Sequence, residues 1–172
     1  PGRLIPTKRH ELTIQGIKAL KLKGYDVKLL ILGDGPEAKA ISRQVTHYGV
    51  EDCVYLTGYL ENVSDYLKAA DVVALLSESE ASSNVIKEAG YFEKPVIACE
   101  RVGDFSDYII HGTNGFLLPK EDPLPAFVEI MESLFTNKSA AADMGSHLRQ
   151  TILREFDMEA VGKQYEELQA KA

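Results

Sequence analysis

Short apolar runs and amphipathic stretches alternate along this chain. Runs of strand length fall at 27–32, 54–57, 72–76, 95–99 and 115–118. Between them, residues 9–23 place Ile14, Ile17 and Leu20 on one face and stop at Gly24, and residues 37–48 stop at Gly49. Residues 62–70, 84–93 and 104–111 predict three shorter helices. Strand alternating with helix predicts right-handed βαβ units and a parallel sheet covered on both faces. After Pro119 the rhythm changes. Phe127, Ile130, Met131 and Leu134 fall at i, i+3, i+4 and i+7, the spacing of an amphipathic helix. Met144, Leu148 and Ile152 mark a second helix, and residues 158–170 a third. No repeat, linker or low-complexity segment interrupts the pattern. The expectation is one α/β domain over residues 1–172, a doubly wound parallel sheet followed by C-terminal helices. A doubly wound sheet carries its first strand in the middle, yet only Pro1-Gly2-Arg3-Leu4-Ile5 precedes the first helix. The chain therefore reads as cut at or inside its first strand.

Composition narrows the function. With 172 residues, 45% of them hydrophobic and 26% charged, the chain is long enough to bury a core and too apolar to be disordered. Its 19 Lys+Arg against 26 Asp+Glu give a net charge of −7, with no basic run or aromatic platform for nucleic acid. No apolar stretch approaches the roughly 20 residues of a membrane span, and the start carries no signal-peptide pattern. Cys53 and Cys99 sit inside apolar runs without metal-ligand spacing, as small core residues in a reducing compartment do. The four histidines are scattered, and none reads as a ligand.

Three segments carry chemistry. The first is Ser77-Glu-Ser-Glu-Ala-Ser-Ser-Asn-Val-Ile-Lys-Glu-Ala-Gly90, where the run at 72–76 ends and a helix begins. Open α/β sheets bind ligands at such turns. Ser82, Ser83 or Asn84 can cap the helix, and its remaining amides and dipole suit an anion such as a phosphate. Glu88 is not the acid of a capping box, because the third residue after Ser82 is Val85 and after Ser83 is Ile86. A carboxylate there can accept both hydroxyls of a ribose, and Glu80 can reach sugar hydroxyls beyond the phosphates. A pair of solvated glutamates would look the same. The second segment, Gly33-Asp-Gly-Pro-Glu-Ala38, matches G-x-G-x-x-A after a strand, which brings in a dinucleotide site. Against it, Pro36 biases Gly35 towards extended backbone, and no acid ends the next strand. A plain strand-to-helix turn, with Pro36 at the first helical position, also fits. The third is Arg3-Leu-Ile-Pro-Thr-Lys8, whose two cations could neutralise a pyrophosphate or simply be solvated.

The order of these pieces is more informative than any one of them. GRLIPTK (2–8), LLILGDGPE (29–37), VYLTGY (54–59), AADVVALLSESEASSNVIKEAG (69–90), KPVIAC (94–99), VGDFSDYI (102–109) and NGFLLP (114–119) run through nearly the whole chain. Arg154-Glu-Phe-Asp157 closes the set. In this order they resemble the C-terminal, donor-binding domain of GT-B glycosyltransferases, specifically the retaining glycosyl transferases group 1 family. The chain departs from many members in reading Glu80-Ala-Ser-Ser-Asn84 at the first glutamate, and Gly103-Asp104 where a second glycine is common.

The resemblance implies a Rossmann-like domain that holds a nucleotide-diphosphate sugar for transfer with retention at the anomeric carbon. It implies that Arg3 and Lys8 grip the diphosphate and that Glu80 binds the donor sugar, these three being the catalytic set. It implies that Glu88 binds the ribose and that the amides around Ser82, Ser83 and Asn84 meet phosphate and sugar. Gly33, Gly35 and Gly103 complete the donor site, with Tyr59 and Leu60 near the base. No metal or other cofactor is expected, the nucleotide sugar being a substrate. The expected partner is an N-terminal acceptor domain of the same protein, absent from this chain. Without it the chain is expected to bind nucleotide weakly and to transfer nothing measurable. A cytoplasmic protein is expected, touching a membrane only through that missing half. Two alternatives stay open: an NAD-type oxidoreductase domain resting on residues 33–38, and a GT-B-like sugar-nucleotide epimerase or catalytically silent binding module.

Overall fold

The computed structural model of the chain describes residues 1–156 and Gly162. After a 3-10 turn at Pro6–Lys8, helices and strands alternate: α1 (His10–Leu22), β1 (Leu29–Leu32), α2 (Ala38–Tyr48), β2 (Val54–Gly58), α3 (Val63–Ala69), β3 (Val73–Leu75), α4 (Asn84–Tyr91), β4 (Val96–Cys99), α5 (Phe105–Tyr108) and β5 (Phe116–Leu118). Two longer helices follow, α6 (Leu124–Thr136) and α7 (Lys138–Phe156). Every described strand and helix was legible in the pattern, although α5 is half the length expected. The predicted helix at 158–170 lies, Gly162 apart, outside the described residues.

All ladders are parallel, but the sheet is in two pieces. β1 pairs with β2, and β4 lies between β3 and β5. No ladder joins β1 to β3. The predicted single sheet is thus split where its middle strand would stand, because residues 2–5 form a loop rather than a strand. Gly2 N still donates to Leu32 O at 2.9 Å, and Leu4 N to Asp34 O at 2.9 Å, so this loop clings to the end of β1.

Each piece has its own core. Ile14, Ile17 and Leu20 of α1 pack with Ile31, Ile41, Val45 and Val54 around β1 and β2. The second core centres on β4, whose four residues are fully buried, as a strand covered on both faces must be. α6 spans both: Met131 packs against each cluster, and Phe127 is buried with its ring against Gly16 of α1. Any side chain at residue 16 would strike that ring, so this glycine sets how closely α1 and α6 approach.

The turn after β1 is made of glycines for a steric reason. Gly33 has φ 132°, and a Cβ there or at Gly35 would run into the backbone of Gly2 or Leu4. Gly49 ends α2 with φ 63° but faces open space. Ala at Gly49 should therefore cost about 1 kcal/mol, the left-handed penalty alone. Ala at Gly33 should cost more than about 2 kcal/mol, since strain and a backbone clash add. Urea denaturation of the two variants checks the difference, and equal losses would contradict this packing.

Candidate active site at the strand C-termini

Parallel strands bring all their C-terminal loops to one edge. Here that edge is assembled by residues 1–9, which touch both half-sheets. On one side lie the bonds from Gly2 and Leu4 to the end of β1. On the other, Glu78 N donates to Thr7 O at 2.8 Å, tying the same loop to the turn after β3.

Arg9 completes the junction, and little in the sequence signals it. Its backbone is left-handed, φ 48°, which turns the chain from the 3-10 turn into α1. Its guanidinium then donates to Leu76 O at 2.7 Å, Ser77 O at 3.3 Å, Lys120 O at 2.8 Å and Cys99 Sγ at 3.2 Å. The loops after β3 and β5 and the last residue of β4 thus converge on one planar fork, a geometry that a lysine cannot supply. The only sequence signal was a second cation beside Lys8 directly before a helix.

The predicted carboxylates and cations fall around this fork. Lys8 Nζ forms an ion pair with Glu80, both ends largely shielded from solvent. Glu88 is exposed on α4, one turn in. Arg3 is exposed on the same loop and makes no ion pair among the described residues. Ser83 is buried at the start of α4, whereas Ser82 and Asn84 are exposed. None of the three makes the capping bond expected of it. Ser82 Oγ instead donates to Asp104 Oδ2 at 2.7 Å, leaving the first amides of α4 without a side-chain cap.

Gly103 lies beneath the Glu80 loop, where a Cβ would come within 2.9 Å of Ala81 O. Tyr59 stands 78% exposed after β2, with Leu60 half-buried beside it. Gly33 and Gly35 are at the same edge, but the space over them is taken by Gly2 and Leu4 of the chain itself. Nor is Pro36 the first helical residue, since α2 begins at Ala38 and Glu37 N is spent on Leu4 O at 3.1 Å. This crowding removes the close backbone approach that a dinucleotide pyrophosphate needs at such glycines.

Two polar groups that the sequence did not single out tune the edge. Burial opposes ionisation of Asp104, but hydrogen bonds from Ser82 and Lys87 overcome it and hold the carboxyl below its ordinary range. Lys87 also sits 4.2 Å above the Phe156 ring. His10, beside Lys8, is lowered to about 4 chiefly by burial, with Lys8 adding to it. It is therefore neutral at pH 7. Asn114 of the NGFLLP segment proves structural: it is buried, accepts from Ile110 N at 2.6 Å and donates to Tyr108 O at 2.9 Å.

Comparison with known proteins identifies the architecture. Residues 1–151 match the profile of the family described as glycosyl transferases group 1. The chain belongs to that family. N-acetyl-alpha-D-glucosaminyl L-malate synthase of Bacillus anthracis is 33% identical over 141 residues, covering 82% of this chain and 36% of the relative. The Anabaena HepE structure in complex with UDP superposes with a TM-score of 0.88 at 25% identity, over 99% of this chain and 47% of HepE. A Staphylococcus aureus TarM variant, in complex with fondaparinux, alpha-GlcNAc-glycerol and UDP, gives 0.89 at 27% identity, over 97% and 34%. The chain thus has the fold of a GT-B Rossmann-like domain and spans less than half the length of these relatives. No described helix is long and apolar enough to cross a membrane.

Two predictions follow from the junction. Arg9→Met should lower stability by about 2–4 kcal/mol, because it strands three carbonyls that the fork satisfies, and Arg9→Lys should recover only part. Denaturation midpoints of the pair check this. For His10, a depressed pKa means that the unfolded chain binds the proton more readily. Stability is then full above about pH 6.5 and falls on the order of 1–3 kcal/mol as pH drops towards 4. The slope should shrink in His10→Gln, measured by urea unfolding across that range.

Proposed function

We infer that this chain is the donor-binding half of a retaining glycosyltransferase that uses a nucleotide-diphosphate sugar. The observation that carries this is the meeting of Lys8, Glu80 and the uncapped start of α4 at one sheet edge, in a chain of the glycosyl transferases group 1 family. The UDP bound in the HepE and TarM structures supports a nucleotide donor of this kind.

In this reading Arg3 and Lys8 meet the diphosphate from the loop side, and the α4 amides at Ser83 and Asn84 meet it from below. Glu80 accepts hydroxyls of the donor sugar while holding Lys8 in place. Glu88 accepts the ribose hydroxyls, and Tyr59 with Leu60 borders the base. As the glycosidic bond breaks, its electron pair goes to the departing diphosphate oxygen. Charge there is met by cations and amide dipoles already oriented before the reaction, the largest source of rate in such sites. Arg9 contributes by fixing Lys8 and the Glu80 loop without touching the donor. The acceptor site belongs to the remainder of the longer polypeptide, so the chain alone binds nucleotide and transfers nothing measurable.

Calorimetric titration with UDP, GDP, ADP and NAD tests this. One nucleoside diphosphate should bind, at least about tenfold more weakly in Glu88→Ala, since charge-assisted hydrogen bonds contribute roughly 1.5–3 kcal/mol. Affinity should fall with added salt. NAD binding indifferent to Glu88 would overturn the assignment.

A further inference from the structure

The loop from β3 to α4 carries Glu80, yet little backbone holds it. Glu78 N is bonded to Thr7 O, and the next backbone bond along the chain is Lys87 N to Ser83 O, in the first turn of α4. Between them, the backbone of residues 79–82 makes no hydrogen bond to other backbone among the described residues. Two side chains anchor the loop instead. Glu80 pairs with Lys8 near one end. At the other, Ser82 donates its hydroxyl to Asp104 Oδ2 at 2.7 Å and accepts from Lys87 Nζ. Lys87 closes the triangle on Asp104 Oδ2 at 3.2 Å.

Asp104 can act as an anchor because its own turn is fixed. Val102 and Phe105, two before and one after it, are buried in the core around β4. Gly103 brings the backbone of that turn against Ala81 O, so turn and loop are in contact. The Tyr108 hydroxyl donates to the other carboxylate oxygen at 3.4 Å. Lys87 is held from behind by the Phe156 ring, 4.2 Å away. The Lys87 and Asp104 side chains are only 20% and 24% exposed, so salt screens this pair less than it would a surface one. A glycine at residue 104, common elsewhere in the family, could make none of these side-chain bonds.

We propose that Asp104 is a positioning residue for the donor loop. Through Ser82 it fixes residues 80–83 before a donor arrives, which keeps Glu80 on Lys8 and the first amides of α4 open. It acts through Ser82 and does not touch the donor. Its effect on binding rests on the nucleotide-sugar reading of this edge; its effect on the loop does not. The sign of that effect separates a positioning residue from a bystander. A carboxylate near a diphosphate repels it, so removing a bystander would tighten nucleotide binding. Removing a positioning residue weakens binding, because only molecules with the loop in place are competent to bind.

The test compares the chain with Asp104→Ala, Asp104→Asn, Ser82→Ala and the Ser82→Ala/Asp104→Ala double variant, by NMR relaxation and by UDP titration. Backbone order parameters at 80–83 should fall from about 0.85 towards about 0.6 in Asp104→Ala and Ser82→Ala, while those of β4 stay unchanged. UDP should bind at least about threefold more weakly in both, as it does when the competent fraction drops to about a third. The double variant should be no worse than the weaker single one, since both remove the same contact. Asp104→Asn keeps an acceptor for the Ser82 hydroxyl and should recover at least about half of the lost order and affinity. Unchanged order at 80–83 would overturn the proposal, as would UDP binding equal or tighter in Asp104→Ala, or additive losses in the double variant. If Asp104→Ala does not fold, Ser82→Ala, at an exposed position, gives both readouts. If the unsubstituted chain binds no UDP, the donor reading fails, and the order parameters alone decide whether Asp104 positions the loop.

Discussion

Arg9 holds together the end of the domain at which the strands stop. Its guanidinium meets the loops after β3 and β5 and the last residue of β4, while the loop it terminates is bonded to the end of β1. Among the described residues no strand ladder connects the two half-sheets. At this edge the connection is therefore a polar one, supplemented behind by the packing of Phe127 of α6 on Gly16 of α1. Because Lys8 is the residue before Arg9, the fork that closes the fold also places the cation beside Glu80. Fold and site share one support.

That sharing shapes the electrostatics. Two cations, Lys8 and Arg9, are adjacent in the chain, and His10 beside them is held neutral chiefly by burial, with Lys8 adding to it. A third positive charge is thereby avoided. Glu80 balances Lys8. A ligand carrying two phosphates would bring negative charge to an edge where the positive charge is only partly compensated. Just before α4, Ser82 gives its hydroxyl to Asp104, and Ser83, at the N-cap position, makes no side-chain cap bond. The amides that a serine would otherwise cap stay free of side-chain partners, as an anion site needs.

The element order was legible because each strand is a short apolar run and each helix an amphipathic one, both local signals. The split sheet was legible only as a shortage, in that residues 2–5 are too few and too polar to make a middle strand. The glycines at 33 and 35 misled in the usual way. Their pattern reports a close approach of backbone, and the sequence cannot say whether the neighbour is a cofactor or, as here, Gly2 and Leu4. Glu80 and Glu88 were found because they bracket a strand-to-helix turn, a position defined by local pattern. Arg9 and Asp104 were missed because their partners lie 67 to 111 residues away for Arg9, and 17 to 22 for Asp104. Long-range polar contacts leave no periodic trace. Ser82 was one of three cap candidates; Ser83 holds the position before α4, and the Ser82 hydroxyl meets Asp104.

The most direct test is an amide chemical-shift titration of the chain with UDP, since it locates the ligand without requiring tight binding. If the donor site is the edge built around Arg9, the largest shifts fall on residues 3–8 and 82–88, with smaller ones at 58–60. Shifts concentrated at 34–38 with residues 82–88 unmoved, or spread evenly over the surface, would contradict it.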